Sequence, residues 1–349
     1  MRIAALFSLA LGLLASKAQG TGSIGQTEGS IDTRPQPFDL NGSNYTYPYP
    51  VHVYNFESQF QELQMAFMDV PPRANVTSNG QVAVVFHGKN FCGPTWIQTI
   101  NELTAHGYRV IAVDQIGFCK SSKPENYQFS LQQFASSTSS LLNALDIYEV
   151  TVIGHSLGGM LAARYSMMYP SNVTELVLVD PMGLEDWLEV GVPYPSLQYN
   201  WQAENSTTWD SIKAYENATY YVGNWDSSYD EWVTMSANIY YGSERHNFLI
   251  NQARVVDMVL TQPIAHSFDK IYPRTLLIVG DKDNTAVGKQ WSPADVAAKL
   301  GNYSVLGPQT AAKIPNCTFI HYPDQGHAPH LEDPEQFHED LFSWLTWKP

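Results

Sequence analysis

The ten residues VTVIGHSLGG, at positions 150–159, decide the fold and contain the most specific chemical motif of the chain. The first four are β-branched or apolar, which predicts a buried strand. The next five form G-x-S-x-G, in which a nucleophilic serine lies on a sharp turn between a strand and a helix. Glycines two positions before and after Ser156 leave room for that turn, and the helix dipole points at negative charge developing beside it. This context favours Ser156 as a nucleophile over a structural serine in a turn.

Short strand-like runs recur on both sides of this motif. Besides 150–153, the predicted strands are 82–87, 110–114, 176–180, 275–279 and 318–322. Runs that are apolar on both faces are typical of a buried parallel sheet. Apolar residues at helical spacing predict helices at 95–106, from 130 to 145, at 157–169 and at 334–344. The alternation predicts an α/β protein, with a mostly parallel sheet flanked by helices and right-handed crossovers.

One long interval breaks this alternation. Residues 180–275 contain no convincing strand, but thirteen tryptophans and tyrosines lie between Trp187 and Tyr241. An interval of this length is too long for a plain connection, so we predict a mainly helical cap inserted at 183–265. The core then comprises 51–182 and 266–349. The aromatic residues either form the interior of the cap or line a pocket beneath it.

The first fifty residues have a different composition. Residues 1–20 contain a basic Arg2, an apolar stretch and then small residues, which predicts a secretory signal peptide. An ordinary N-terminal helix and a membrane anchor are the alternatives. Residues 21–50 are rich in Gly, Ser, Thr, Pro and Asn and predict a flexible or surface-wrapped arm.

Asn-x-Ser/Thr sequons are spread along the chain and favour a secreted, extracellular glycoprotein. They lie at Asn41, Asn44, Asn75, Asn172, Asn205, Asn217, Asn302 and Asn316. A single sequon is a weak signal, but eight in one chain support the signal peptide.

The composition limits the partners. The chain has 349 residues, of which 19 are basic and 34 acidic, for a net charge of −15. Such a surface repels phosphate backbones and anionic bilayers, so we expect neither nucleic-acid nor membrane binding. We expect a small-molecule substrate, no cofactor and no metal, since no metal-spaced Cys/His cluster occurs. The oligomeric state is not indicated.

A serine nucleophile needs a general base and an orienting carboxylate, which follow the elbow in the order acid, then histidine. The next-to-last predicted strand is followed by GDKD at 280–283, and the last by DQGH at 324–327. Both loops leave the same sheet edge as Ser156. We assign Asp283 as the acid, with Asp281 as the alternative, and His327 as the base. His330 is a packing histidine or a contact to the cap.

An oxyanion hole needs two preorganised N–H donors. One candidate is the backbone N–H of Leu157, the residue after the nucleophile. The other lies in the loop HGKN at 87–90, where Lys89 is the first choice and Asn90 the second. His87 is interpreted as a structural residue of this loop.

Two of the three cysteines lie on loops that leave neighbouring strands. Cys92 comes five residues after His87, and Cys119 comes five residues after Asp114. If these two strands are neighbours they are about 4.8 Å apart, and the loops that leave them can bring the cysteines within disulfide range. We predict a Cys92–Cys119 disulfide with Cys317 unpaired; three free thiols are the alternative.

The series HG, DQIGFCKSSKP, GHSLGG, G-x-x-D and GH resembles the α/β-hydrolase fold superfamily. It is similar to the capped branch related to epoxide hydrolases, haloalkane dehalogenases, C–C hydrolases and esterases, over residues 60–347. The resemblance implies a triad of Ser156, Asp283 and His327 and a cap that selects the substrate. It also departs from relatives: epoxide hydrolases and haloalkane dehalogenases have Asp in place of Ser156, and proline iminopeptidases have HGGPG where this chain has HGKNFC.

These observations together predict a secreted serine hydrolase that cleaves a carboxylic ester through an acyl-enzyme. A lactonase, an amidase or a C–C bond hydrolase would use the same triad with a different pocket. A ligand-binding homologue without turnover is the alternative from a different class.

Overall fold

The computed structural model describes residues 29–347, which form one twisted sheet covered by helices. The predicted signal peptide at 1–20 and the start of the arm at 21–28 lie outside the described residues. The strands are β1 Ser30–Asp32, β2 Val51–Ser58, β3 Gln61–Val70, β4 Val82–Phe86, β5 Arg109–Val113, β6 Val150–His155, β7 Val173–Val179, β8 Arg274–Gly280 and β9 Cys317–Tyr322. Their order in the sheet is β1-β2-β3-β5-β4-β6-β7-β8-β9.

The six strands that the sequence predicts all form and run parallel to one another, from β5 at one side to β9 at the other. This arrangement confirms the predicted fold class. The antiparallel strands β1, β2 and β3 were missed by the sequence reasoning. The turn between β2 and β3 explains part of the miss, because Gln59 and Phe60 occupy it with φ of 50° and 63°. Neither is a glycine or asparagine, the residues that signal such a hairpin turn.

Helices cover both faces of the sheet. They are α1 Ile97–Ala105, α2 Leu131–Ala144, α3 Leu157–Met168, α4 Trp187–Val190, α5 Leu197–Asn205, α6 Trp209–Thr219, α7 Asp230–Tyr240, α8 Arg245–Thr261, α9 Ala294–Ala297, α10 Tyr303–Ala311, α11 Pro329–Glu332 and α12 Pro334–Thr346. Successive strand residues point to opposite faces: in β6, Val152 belongs to the same buried cluster as residues of α2 and α3, whereas Ile153 belongs to the cluster that includes residues of α1 and α12. No helix within residues 29–347 is long and apolar enough to cross a membrane.

Between β7 and β8 the described chain forms only helices, α4 to α8, as the sequence predicts for a cap. The long helix α8 fixes this segment to the core loop that follows β5. The side chain of Asn251 donates to the carbonyl of Pro124, and that of Gln252 donates to the carbonyl of Gly117. Both side chains are buried, so the contact holds the cap against the carboxyl ends of the strands. The domain limits 183 and 265 stay predictions.

The described part of the arm, residues 29–50, wraps the surface instead of extending away from it. β1 extends the sheet by pairing with β2. Further along, the hydroxyl of Tyr47 donates to a carboxylate oxygen of Asp114 at 2.5 Å. The ammonium of Lys120 donates to the carbonyl of Phe38 and to the hydroxyl of Ser43. These contacts connect the arm to the loop after β5.

Candidate active site

Ser156 lies at the turn between β6 and α3, with φ 58° and ψ −120°. Residues other than glycine rarely adopt this backbone conformation, so the packing around the turn must enforce it. The two flanking glycines show how tight that packing is. A Cβ at Gly154 would lie 2.2 Å from the carbonyl oxygen of Gly158, and a Cβ at Gly158 would lie 2.2 Å from that of Phe86. Only glycine fits at either position, which is the physical meaning of the motif.

The structure brings Ser156, His327 and Asp283 together at the carboxyl ends of β6, β9 and β8. His327 Nε2 lies 2.8 Å from Ser156 Oγ, and its Nδ1 lies 2.6 Å from Asp283 Oδ2. All three residues are at most 2% exposed. Because the Asp283 carboxylate accepts a hydrogen bond from the Nδ1–H group, the proton of the neutral imidazole stays on Nδ1 and Nε2 is left as an acceptor for the hydroxyl of Ser156.

The two alternatives for the acid and the base lie elsewhere. Asp281 pairs with His321 Nδ1 at 2.8 Å, and its side chain is partly exposed at the sheet edge. His330 is buried and stacks on Trp96, with ring centroids 4.5 Å apart. Burial lowers the pKa of His330 to about 3, so it remains a neutral packing residue.

Two backbone N–H groups beside Ser156 are free for an oxyanion. Within residues 29–347, neither the N–H of Leu157 nor that of Lys89 donates to a protein acceptor. Leu157 is the first residue of α3, where helix N–H groups have no partner inside the helix. The loop of Lys89 runs against the nucleophile, since a Cβ at Gly88 would lie 3.1 Å from Ser156 Cβ. The N–H of Asn90 is also free, so it remains the alternative second donor.

A disulfide and a buried carboxylate hold the loop that contains Lys89 in place. Cys92 and Cys119 form a disulfide with Cα atoms 5.7 Å apart, as the sequence predicts. Next to it, Asp114 accepts hydrogen bonds from the backbone N–H groups of Gly93 and Lys120, at 2.9 and 3.1 Å. Cys317 is the free cysteine, and burial raises the pKa of its thiol to about 12.

The sequons differ in accessibility. The exposed asparagines are Asn75, Asn205, Asn302 and Asn316, and the half-buried ones are Asn41, Asn44, Asn172 and Asn217. The amide nitrogen of Asn41 donates to the carbonyl of Lys120, and that of Asn172 donates to the carbonyl of Tyr148, both at 2.7 Å. Glycosylation stays a prediction, and the four exposed sites are the favoured acceptors.

A cavity of about 470 Å³ opens above Ser156, between the strand ends and the cap. Four cap tyrosines line it: Tyr199, Tyr215, Tyr220 and Tyr240. Among the described cap residues no tryptophan lines this cavity; Trp187, for example, is buried in the core. Some aromatic residues of the cap therefore line the cavity and others pack in the protein interior. The sequence could not separate these two groups.

An ion pair in this cavity, which the sequence reasoning missed, joins the cap to the loop that contains Lys89. The ammonium of Lys89 lies 2.7 Å from a carboxylate oxygen of Glu204 in α5. The other oxygen of Glu204 accepts from the hydroxyl of Tyr240 at 2.6 Å. Nearby, the amide of Asn90 donates to the hydroxyl of Tyr220, whose ring lies 4.8 Å from that of His327. Charged and hydroxyl groups therefore share the cavity wall with apolar ones.

Three groups of potential metal ligands lie within the described residues. The first contains His87, Asp114 and Cys119, but Cys119 is consumed by the disulfide. The second is the triad pair Asp283 and His327 together with Asp180, and the third is an exposed surface group at Asp186, Glu189 and His266. His87 itself is buried, donates from Nδ1 to its neighbour Gly88 and accepts from the Gln115 N–H, as a structural loop residue would.

Residues 83–334 match the α/β hydrolase fold family, which is well over half of the chain. The protein therefore belongs to the α/β hydrolase fold family. This membership confirms the resemblance derived from the motifs.

Comparison with known proteins adds detail. A solved structure of a probable hydrolytic enzyme from Pseudomonas aeruginosa PAO1 is 48% identical, with a TM-score of 0.85, and covers 86% of this chain and 96% of that one. An esterase from Exiguobacterium antarcticum shares the fold at 21% identity and a TM-score of 0.64, over 82% of this chain and 97% of its own. A 1-acylglycerol-3-phosphate O-acyltransferase from Sus scrofa is 36% identical over 112 residues, 31% of this chain. The chain matches only about a third of that protein's length, 32%.

Proposed function

We propose that the protein is a serine hydrolase that cleaves a carboxylic ester through an acyl-enzyme. The observation that carries this proposal is the continuous hydrogen-bonded chain from Ser156 Oγ through both nitrogens of His327 to Asp283. Ser156 Oγ attacks the ester carbonyl while His327 Nε2 takes its proton, and the oxyanion accepts hydrogen bonds from the N–H groups of Leu157 and Lys89. His327 then donates the proton to the leaving alcohol. In the second step a water molecule, deprotonated by His327, attacks the acyl carbonyl, and His327 returns that proton to Ser156 Oγ as the carboxylic acid is released.

The cavity supports a compact substrate. A volume of about 470 Å³ lies in the range of small-molecule pockets, roughly 300–1,000 Å³. Its tyrosine hydroxyls and the Lys89–Glu204 pair favour an ester with polar or aromatic groups over a long aliphatic chain. Lactones, amides and C–C bonds next to a carbonyl are substrates that the same triad would attack, so these reactions remain alternatives that differ in the pocket.

The proposal is tested with a panel of p-nitrophenyl esters of increasing acyl length and with a fluorophosphonate probe. We expect hydrolysis of the shorter esters and a covalent adduct on the peptide that contains Ser156. The Ser156→Ala variant lowers kcat by about 10⁶-fold and takes up no probe, because the triad acts as a unit. The matched control is Ser166→Ala on the same helix, whose hydroxyl donates to the carbonyl of Ala163.

Two results would contradict the assignment. A folded Ser156→Ala protein with near wild-type turnover would show that another group is the nucleophile. A wild-type protein that binds esters but neither turns them over nor reacts with the probe would favour a ligand-binding homologue without turnover.

We also propose that the protein is secreted and glycosylated. The Cys92–Cys119 disulfide supports an oxidising compartment, and four exposed sequons are accessible for a glycan. Expression of the full chain in a eukaryotic secretory host should yield a protein in the medium whose N-terminus follows residue 20 or a neighbour. Removal of N-glycans should lower its mass. An intracellular protein that retains Met1 and carries no glycan would contradict both statements.

A further inference from the structure

A second carboxyl group lies against the triad and has no role in the mechanism so far. Asp180 follows β7, is 0% exposed, and has φ 39°. One of its carboxylate oxygens lies within 4.8 Å of both a carboxylate oxygen of Asp283 and a ring nitrogen of His327. The sequence contained only a weak signal for it, a lone aspartate at the end of a strand.

The hydrogen bonds around the two carboxyl groups are unequal. Asp283 accepts from His327 Nδ1 at 2.6 Å and from the N–H of Thr285 at 2.8 Å. Asp180 Oδ1 accepts from the N–H of Gly280 at 2.9 Å, and no group in the described part of the chain donates to its Oδ2. Within residues 29–347, no Lys or Arg lies within 4.0 Å of either carboxyl group.

Two buried carboxylates at this separation do not both ionise, because like charges in a low-dielectric interior repel. The negative charge belongs on Asp283, because its carboxylate accepts two hydrogen bonds whereas that of Asp180 accepts one. A proton on Asp180 Oδ2 allows this otherwise unpaired oxygen to make a hydrogen bond, since a protonated carboxyl group is a hydrogen-bond donor. The Asp283 carboxylate, which has an oxygen within 4.8 Å of one from Asp180, is the acceptor that such a donor would face.

We propose that Asp180 is a positioning residue whose protonated carboxyl group donates a hydrogen bond to Asp283 and holds that carboxylate toward His327 Nδ1. The inference rests on the proposed function, because it gives Asp180 a role in the hydrolytic triad. Asp180 touches neither substrate nor the reacting atoms; it acts through Asp283. The Gly280 N–H fixes its Oδ1, so its Oδ2 is free to serve as the donor.

The surrounding groups favour the protonated form. Burial raises the pKa of Asp180 well above its usual range, and the charges of Asp283 and Glu332 raise it further. Tyr303 and Tyr322, from α10 and β9, face the same site, and burial raises the pKa of both, so they remain neutral.

The histidines that face His327 are also neutral. Burial lowers the pKa of His155 well below its usual value, and that of His330 to about 3. The ring of Tyr220 packs on the remaining side of His327, 4.8 Å away, and burial raises its pKa too. These rings therefore contribute no change of charge next to His327 around neutral pH.

The test compares Asp180→Asn with Asp180→Gly in the full-length enzyme. Asparagine keeps both a carbonyl for the Gly280 N–H and a neutral donor for Asp283, and it tolerates a positive φ. Glycine also tolerates φ 39° but removes the donor. We expect Asp180→Gly to lower kcat by about 10- to 100-fold, the worth of a hydrogen bond to a charged group, and Asp180→Asn to restore most of it. Asp281→Asn, in the loop after β8, is the matched control.

The pH profile separates positioning from a structural role. In Asp180→Asn one neutral hydrogen-bond donor replaces another, so the charge near His327 does not change. The midpoint of the acidic limb of the kcat/KM profile therefore stays at its wild-type value. An ionised Asp180 would stabilise the imidazolium, and its removal would move the limb to lower pH by about one unit or more. Such a shift overturns the proposal, as does a folded Asp180→Gly variant with wild-type kcat.

An infrared difference spectrum of wild type minus Asp180→Asn decides the protonation state without any turnover. We expect a protonated carboxyl band at neutral pH, and its absence overturns the proposal even if Asp180→Gly fails to fold. Glu216, another buried carboxyl group with a raised pKa, contributes equally to both samples and cancels. Failure of the wild-type enzyme to react with the fluorophosphonate probe would instead contradict the proposed function, so the two failures are distinguishable.

Discussion

The loops at the strand ends and the cap meet at one cavity, but they are built in different ways. Ser156, Asp283 and His327 each lie within five residues of the end of a parallel strand. The cap contributes its lining from separate helices, with tyrosines in α5, α6 and α7 and one just after α6. Each triad side chain is therefore positioned by a short segment that directly follows a strand of the sheet, whereas the cap tyrosines are positioned by how separate helices pack on one another.

The two regions also differ in how they are held. The loop that contains Lys89 is fixed by a buried disulfide and by the Asp114 carboxylate. Across the cavity, the cap reaches this loop through polar side-chain contacts, such as the Lys89–Glu204 pair and the Asn90–Tyr220 hydrogen bond. We infer that changes at the strand ends alter the rate for every substrate, and that changes in the cap alter the preference among substrates.

The largest effect at the strand ends, apart from that of Ser156→Ala, is expected from replacing Asp283, the proposed orienting acid. Asp283→Asn should lower kcat by about 10⁴-fold, because an amide favours the wrong imidazole tautomer. Asp281→Asn, two residues earlier in the same loop, should leave kcat within about twofold, as expected for an exposed surface pair. Steady-state kinetics on one short ester checks both variants. If Asp281→Asn were the more damaging change, the acid would be wrongly assigned.

Removing the Cys92–Cys119 disulfide tests whether the loops at the strand ends need a covalent cross-link to keep their conformation. Replacing Cys92 and Cys119 together by alanine should lower the free energy of unfolding by about 3.5 kcal/mol, from the loop that the bridge closes. Activity should also fall under conditions where the protein is still folded, because the Lys89 loop loses its anchor. Denaturant unfolding and kcat measured on the same samples provide the two readouts.

Cys317→Ala is the control for that experiment, since Cys317 is the free cysteine. We expect a much smaller change in its stability. Unchanged stability and unchanged kcat in the double variant would show that the loop is held by Asp114 alone.

The smallest expected effect is in the cap. Tyr199 lines the cavity and is 43% exposed, so Tyr199→Ala should fold normally while enlarging the pocket. We expect the ratio of kcat/KM between a bulky ester and the acetyl ester to change by about tenfold, the usual effect of a modest change in pocket volume. Tyr241→Ala is the matched control, because this tyrosine is exposed but does not line the cavity. Equal losses on all esters would make Tyr199 a packing residue.

Much of the fold was predictable because strands that are buried on both faces leave continuous apolar runs. The strands from β4 to β9 appear in the sequence within a few residues of their observed limits. The hairpin of β2 and β3 was not predicted, since polar residues interrupt both strands and the Gln59–Phe60 turn lacks the usual residues. Its position in the sheet is fixed by pairing with β5, which is a long-range contact.

The sequence by itself was enough to predict that Ser156, His327 and Asp283 lie together and that Cys92 pairs with Cys119. A G-x-S-x-G turn and the loops after parallel strands must converge at one edge of the sheet, so their order along the chain implies their position in space. The tertiary structure alone decided that Asp180 lies against Asp283, that Glu204 pairs with Lys89, and which cap tyrosines reach the cavity. These contacts depend on how side chains from distant segments pack and which polar groups burial leaves without partners. A linear pattern of residues does not contain that information.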